Sequence, residues 1–454
     1  MTTHCYNQLR FSFQRKLVVD FAGGTITSDA GLLLVRELDA RLGLTADVAR
    51  RVQDSRDSRY VSHDMATLLR QRIYQIVAGY DDANDADRLR LDPTFKLIAG
   101  GGTGDLGSQP TISRLENELD WSSIARLSAV GMDWFCCHAY GKTHQPEEIL
   151  LDVDSTDDPT HGDQQLALFT GFYNQTMYHP LCWFEAHTGL LLRTRLRPGR
   201  DQSPDFLVED LEHIVPQLKY RFPKSRLMLR ADAGMGKHHV LSALEHHEIE
   251  YVLGIAPNAA FHKKIRGIAQ KAQRRYDRTK QPVEIYTSFW YRAKRARKSR
   301  SKECREPWSR RRRILLRLRV GATGLDVRFM VTNRSGKAKD LVEWYQQRGT
   351  CENRIKELKL DMHADRLSCH RYRANAVRLQ LHTIALLLLS YFRRRAMQKT
   401  ALANATAGTL RLCLFKVAAR VVYTARRIWF HVASYWPWQT LFCRSYRAVA
   451  KAPT

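Results

Sequence analysis

The alternating run Ile149-Leu150-Leu151-Asp152-Val153-Asp154 predicts a short strand. On it Leu150, Asp152 and Asp154 share one face. Two carboxylates therefore project from one side at the strand's C-terminal end, where Ser155 and Thr156 close it. Another acid, Asp232, directly follows the apolar run 226–231 and opens the turn Asp232-Ala233-Gly234-Met235-Gly236-Lys237. In open α/β sheets, sites form at the carboxyl ends of strands. A third acid, Glu352, shares a predicted helix with Tyr345, Arg348, Lys356 and Lys359. At 100° per residue, Tyr345 and Lys359 lie within about 20° of Glu352, and Arg348 within about 40°.

Hard carboxylate oxygens at two strand ends and on a helix suit a pair of divalent ions about 3.5–4 Å apart. Such a pair supports attack of water on a phosphodiester and stabilises the leaving 3′ oxygen. Cations beside Glu352 would hold backbone phosphates. Spacing alone also allows a plainer reading, in which Arg348, Glu352 and Lys356 form a solvated ion-paired face. Asp154 is preferred to Asp152 as the strand ligand because it sits nearest the strand end. Asp152 remains open as ligand or as an acid supporting it. Asp157, Asp158 and Asp163 read as solvated loop acids.

Other motifs lead elsewhere or nowhere. Gly236-Lys237 suggests a P-loop, but Ala231 stands where its first Gly belongs and His238 where Ser or Thr would hold magnesium. Gly102, Gly104 and Gly107 spell a dinucleotide-binding pattern without the strand-turn-helix context it requires. They read as a flexible loop. The pairs His238-His239 and His246-His247 are eight apart, not three or four, and read as surface. The nine cysteines are scattered without metal or disulfide spacing, which suits a reducing cytoplasm.

The elements that must position these residues follow from periodicity. To about residue 140 the chain reads as mainly helical. One helix opens at Ser28 or Asp29 as N-cap. Others span about 65–78 and 112–119, the last after Pro110. From Glu147 the order becomes three strands (149–154, 178–185, 190–196), helix 204–220, strand 226–231, helix 237–246 and strand 251–255. This predicts an α/β mixed sheet. Residues 258–335 interrupt it with a basic helix, a strand at 284–291, a very basic loop and strands at 314–320 and 325–332. One long helix is expected over 338–360, with more helix over 373–397 and from 410 to 423 and beyond. The expected domains are a helical region 1–143, a catalytic region 144–370 with its insertion, and a helical region 371–454.

The chain has 454 residues, with 73 Lys plus Arg against 46 Asp plus Glu, a net charge of +27. That excess points to a polyanionic partner. The apolar fraction of 44% excludes a disordered chain. The most apolar run, 384–389, is far shorter than the roughly 20 residues of a membrane span. No signal peptide pattern opens the sequence.

Tyr345-x(2)-Arg348-x(3)-Glu352-x(6)-Lys359 resembles the Tyr-(2)-Arg-(3)-Glu-(6)-Lys signature of DDE transposases from bacterial insertion sequences. Asp154-Ser155-Thr156 resembles the family's first aspartate and Asp232-Ala233-Gly234 its second. Thr27 to Leu34, Gly79 to Asp87 and Ser108 to Arg114 resemble the group 1 DDE transposases, so the likeness covers nearly the whole chain. The resemblance implies an RNase H-like core in which Asp154, Asp232 and Glu352 are catalytic and bind two magnesium ions, with manganese able to substitute. It implies DNA contacts by Tyr345, Arg348, Lys359 and Lys356 and by Arg295 and Arg297 of the basic insertion. In relatives with such an insertion, an aromatic residue captures a flipped base. Trp290 is the first candidate and Trp308 the second, against the commoner buried role of tryptophan. The implied activity is cleavage at the element's terminal inverted repeats and joining of the 3′ hydroxyls to target DNA. The implied state is a homodimer in a synaptic complex, cytoplasmic and associated with the nucleoid. Two alternatives are a domesticated DNA-binding protein without catalysis and an RNase H-like nuclease without strand transfer.

Overall fold

The computed structural model describes residues 8–100, 102–141, 143–201, 203–293 and 307–451. Arg295 and Arg297 lie outside them. The chain forms two compact units, one of Met1–Leu127, Glu357–Ala364 and Gln380–Thr454, the other of Ser128–Lys356 and Asp365–Leu379. No helix among the described residues is long and apolar enough to cross a membrane.

The second unit is built on an eight-stranded mixed sheet. Its strands are β1 (Glu148–Ser155), β2 (Leu181–Glu185), β3 (Leu191–Arg195), β4 (Arg226–Ala231), β5 (Glu250–Ile255), β6 (Val283–Tyr291), β7 (Arg312–Gly321) and β8 (Gly324–Thr332). The spatial order is β6-β7-β8-β5-β4-β1-β2-β3. Strands β1, β4 and β5 run parallel, and all other pairs are antiparallel. The parallel centre is buried and mostly apolar, and α1 (Asp205–Arg221) and α2 (His238–His246) make the crossovers. The expected strand 178–185 is broken at His179-Pro180, since proline has no N–H to give a ladder. The part before the break, Gln175–Tyr178, joins a small separate sheet with Asp158–Pro159 and Leu168–Thr170. Asp158 lies in that sheet and is 1% exposed, which corrects its reading as a solvated loop acid.

The insertion extends the sheet rather than standing apart. After the basic helix α3 (Ala259–Thr279), strands β6 to β8 form an antiparallel meander whose last member pairs with β5. The expected long helix is two. α4 (Ala338–Gln346) stops, α5 (Gly349–Lys356) restarts, and a wide turn follows at Glu357–Asp361. Gly349 and the β-branched Thr350 weaken helix at the junction. There the Arg348 N–H bonds the Tyr345 carbonyl at 3.0 Å and the Cys351 N–H bonds that of Arg348 at 2.8 Å, a tighter winding.

In the core of this unit a salt bridge links neighbouring parallel strands. Arg230 on β4 holds Asp152 on β1 through two parallel bonds of 2.7 and 2.8 Å. Its third nitrogen donates to the Trp344 carbonyl of α4 at 2.7 Å, and the guanidinium lies 5.0 Å from the Trp344 ring centre. Both charged side chains are buried.

The first unit is helical over Leu32–Leu42, Leu44–Arg51, Met65–Ala78 and Gln109–Glu118. It opens with a hairpin, Leu9–Phe11 against Gln14–Val19, that the helical reading did not include. Asp64 caps the helix at Met65, accepting from the Thr67 N–H at 2.7 Å. Neither Ser28 nor Asp29 caps the first helix. Gly31 occupies that position, and a side chain there would run into the Leu414 carbonyl. Asp29 is buried instead, accepting from Lys416 at 2.5 Å and from the Tyr80 hydroxyl at 3.0 Å. The glycine-rich stretch from residue 102 is irregular, and Gly107 is clamped by both ends of the Gln71 amide. The helix expected from 410 to 423 is helical only as far as Phe415, over Ala407–Leu410 and the wider-wound Arg411–Phe415, and then gives way to a hairpin, Ala419–Tyr423 against Ile428–Val432, joined by Ile26–Thr27. Alternating apolar residues there have a period of two, not 3.6.

Replacing one member of the buried pair leaves the other charged and alone. Arg230→Met is expected to cost about 3–5 kcal/mol of unfolding free energy in urea. Adding Asp152→Leu is expected to recover most of that loss. A double variant no more stable than the single one would rule the pair out as the cause.

Candidate active site

Register brings two of the expected acids side by side. Because Asp152 pairs with Arg230 and Val153 with Ala231, Asp154 and Asp232 follow at adjacent strand ends. Asp154 is 13% exposed. Its own Ser155 N–H bonds one carboxylate oxygen at 3.0 Å, and Arg348 holds the other at 2.5 Å. Burial first, and then the charge of Asp232, push its carboxyl up to about 6 despite Arg348. Burial pulls the Arg348 guanidinium down, but Asp154 and then Tyr345 more than offset this, and it stays firmly charged.

Asp232 starts a single helical turn, Ala233–Met235, and accepts from the Gly234 N–H at 3.0 Å. Two glycines let that turn sit close to β5. A side chain at Gly254 would meet the Ala233 nitrogen at 2.7 Å and the Tyr345 hydroxyl at 3.0 Å, and one at Gly236 would meet the Gly254 carbonyl at 2.5 Å. Tyr345 packs among Val252, Leu315, Met330, Leu341 and Val342. Its hydroxyl donates to the Ala231 carbonyl, one residue before Asp232, at 3.3 Å.

Glu352, on the first turn of α5, is 56% exposed and contacts the other nitrogen of Arg348 at 3.4 Å. Arg348 therefore links a strand-end carboxylate to the helix carboxylate. Arg354 secures α5 by donating to the Ala186 carbonyl at 2.6 Å, just past the end of β2. Lys356 ends α5 and is exposed. Lys359 lies on the turn Glu357–Asp361, in the other unit, and is partly buried. Asp152 gives both oxygens to Arg230, so its carboxylate is committed to the core and Asp154 is the one left at the strand end.

Asp154 and Asp232 fit a divalent ion: their oxygens are hard, and a cation would relieve the repulsion that helps raise Asp154. Glu352 joins them through Arg348, and no group of three or more His, Cys, Asp or Glu among the described residues is gathered closely enough to hold a metal.

Spacing in the sequence gave no sign of three further groups. Burial, then Asp157, Asp154 and Asp232, raise the Tyr173 hydroxyl. Arg197 is fully buried. It donates to the His179 carbonyl at 2.8 Å and approaches that ring at 3.1 Å. Burial, then Arg197, pull His179 down to about 4. The Asp232 charge reaches both Arg197 and His179. The histidines expected at the surface stand on α2 or just past it, where His239 meets Asp205 and His247 meets Glu212.

Trp290, near the end of β6, is 57% exposed, contrary to the usual burial of tryptophan. It lines a shallow groove with Ser288, Arg310, Arg311, Arg313 and Arg334. Trp308 is 6% exposed. It is packed against Tyr291 at 5.6 Å and under Arg312 at 5.3 Å, which removes it as a base-capturing candidate.

Because the folded Asp154 titrates above its ordinary value, its contribution to stability is fully present below about pH 4. It is lost as the pH rises through about 6. Raising a carboxyl from its ordinary range to about 6 corresponds to about 3 kcal/mol. Without divalent ions, Asp154→Asn is expected to melt higher than wild type at pH 7.5 and equally at pH 4. Equal melting at both pH values would remove the strained carboxylate from the account.

No curated protein matches the sequence. Among solved structures, the chain is similar to a piggyBac transposase in a synaptic complex with hairpin DNA, at 11% identity and a TM-score of 0.44, covering 94% of this chain and 83% of that one. It is also similar to a chain of the simian T-cell lymphotropic virus intasome bound to the PP2A regulatory subunit B56 gamma, at 12% identity and a TM-score of 0.19, covering 48% of this chain and 90% of that one. The family described as transposase DDE domain group 1 matches residues 9–454. The chain belongs to that family of transposases.

Proposed function

We propose that this transposase cuts DNA at the terminal inverted repeats of a bacterial insertion sequence and joins the freed 3′ hydroxyls to target DNA. Asp154, Asp232 and Glu352 would be the catalytic acids. The observation that carries this reading is Arg348, which ties Asp154 to Glu352 while Asp154 feels the charge of Asp232. The strand order β3-β2-β1-β4-β5 supports an RNase H-like core with the acids at its strand ends.

Two magnesium ions, with manganese able to substitute, would supply Lewis-acid stabilisation to an in-line displacement at phosphorus when bound. Asp154 and Asp232, with Glu352, would hold them. Arg348 links Asp154 and Glu352 and would contact a backbone phosphate. Tyr345 fixes the strand end that carries Asp232. Lys356 and Lys359 would contact backbone phosphates, which position the duplex without reading its sequence. Exposed Trp290 in its arginine-lined groove suits capture of an unstacked base, and Arg295 and Arg297 of the basic insertion would also contact DNA. The helical N-terminal region would read the inverted repeats, and two copies would hold two ends in a synapse. Such a role would put the protein in the cytoplasm, at the nucleoid.

The test is cleavage and joining of end-containing DNA in magnesium. Asp232→Ala and Glu352→Ala are each expected to abolish both steps while leaving DNA binding within a few-fold of wild type. Cutting at the wild-type rate by both variants would disprove the acid site. Cutting without joining of precut ends by the wild type would identify a nuclease instead. Trp290→Ala is expected to slow end processing more than binding, which a precleaved substrate would bypass.

A further inference from the structure

The C-terminal hairpin of the first unit has a face that the acidic site does not use. Strands Ala419–Tyr423 and Ile428–Val432 pair so that Arg420 opposes His431 and Val422 opposes Trp429. The inward residues Ala419, Phe430 and Val432 pack with Ala30, Val417 and Trp436. The outward set is therefore Arg420, Val422, Trp429 and His431, with Ile26 beside Arg420 on the third strand. Trp429 is 45% exposed and Ile26 56%. The Trp429 and His431 rings are parallel within 6°, with centres 5.9 Å apart. Arg427 lies 5.7 Å from the Trp429 ring centre.

The hairpin's own charge has one sign. No Asp or Glu follows Asp365 in the chain. Arg420, Arg426 and Arg427 are exposed, and no ion pair engages them among the described residues. Cations without carboxylate partners call for an anionic ligand, and two parallel aromatic faces call for flat ones. Bases in a duplex are already stacked, so solvent-exposed aromatic rings suit unpaired bases best. Sheet surfaces that present aromatics among cations bind single strands in this way.

We propose that the outer face of this hairpin binds single-stranded DNA, with Trp429 and His431 stacking on unpaired bases and Arg420 and Arg427 meeting the phosphates. The site shares no residue with the acidic one and needs no divalent ion. Its failure and the failure of the catalytic reading are therefore distinguishable.

Full-length protein would be titrated into dye-labelled oligothymidylate without divalent ions and read by fluorescence anisotropy. Trp429→Ala and His431→Ala are each expected to weaken binding about tenfold, as loss of a stacking platform does. Trp429→Phe should retain most of the affinity, and binding of a matched duplex should be unchanged by all three. Arg420→Gln with Arg427→Gln should lower the slope of log affinity against log salt by about 1.4, the value for two phosphate contacts on a single strand. Ultraviolet cross-linking to 5-iodouracil DNA is expected to tag the peptide spanning 420–431, a readout that the rest of the basic surface cannot mimic. Equal loss of single-strand and duplex binding, or cross-links confined to the insertion, would overturn the proposal. So would a Trp429→Ala variant that changes oligomeric state while keeping its affinity, which would assign the face to a second copy of the chain.

Discussion

The Asp152–Arg230 pair is the constraint on which the site depends. A parallel ladder has no turn to fix its register, and a slip of one residue would reverse every side chain. Here a bidentate ion pair, buried among apolar residues, penalises any register but one. Asp154 and Asp232 then come to neighbouring strand ends as a matter of counting. The third bond, to the Trp344 carbonyl, extends the same lock to the helix that leads to Arg348 and Glu352. A pair of this kind contributes little net stability over an apolar replacement. Its contribution is alignment.

The charges nearer the surface are balanced differently. Asp154 is crowded by burial and by Asp232, and Arg348 is the counter-charge that makes the arrangement tolerable. Burial and the Asp232 charge disfavour the ionised form of Asp154, and Arg348 offsets only part of that. Within the same unit, α3 and the groove beside Trp290 carry a large share of the chain's positive excess. The acids therefore belong to a unit whose field would draw DNA in rather than repel it.

Much of this was legible in the residues. Alternation placed Asp152 and Asp154 on one strand face, and the apolar run before Asp232 announced its strand. The division of labour between Asp152 and Asp154 was not legible, because it depends on Arg230 lying opposite. Tyr173, His179 and Arg197 reach the acids only through the break at Pro180 and the small sheet, which no periodicity reports. The helix break was visible as Gly349 but was outweighed by the regular spacing from Tyr345 to Lys359. The C-terminal hairpin was hidden for a different reason. Val421-Val422 and the aromatics after it satisfy short stretches of either period, and only pairing with Ile26–Thr27 decides between them. Trp290 reverses the general burial of tryptophan because it alternates with Phe289 and Tyr291, which pack on Phe261 of α3, and so projects from the face that α3 does not cover.

The Lys416–Asp29 contact joins residues from opposite ends of the chain, and the hairpin at 419–432 adds its strands to Ile26–Thr27. The unit they close is stitched together across 387 positions of sequence, whereas the sheet carrying the acids uses only residues 148–332. Closing so long a loop costs entropy before any contact repays it, so docking of the hairpin on Ile26–Thr27 is expected to be a late step in folding that unit.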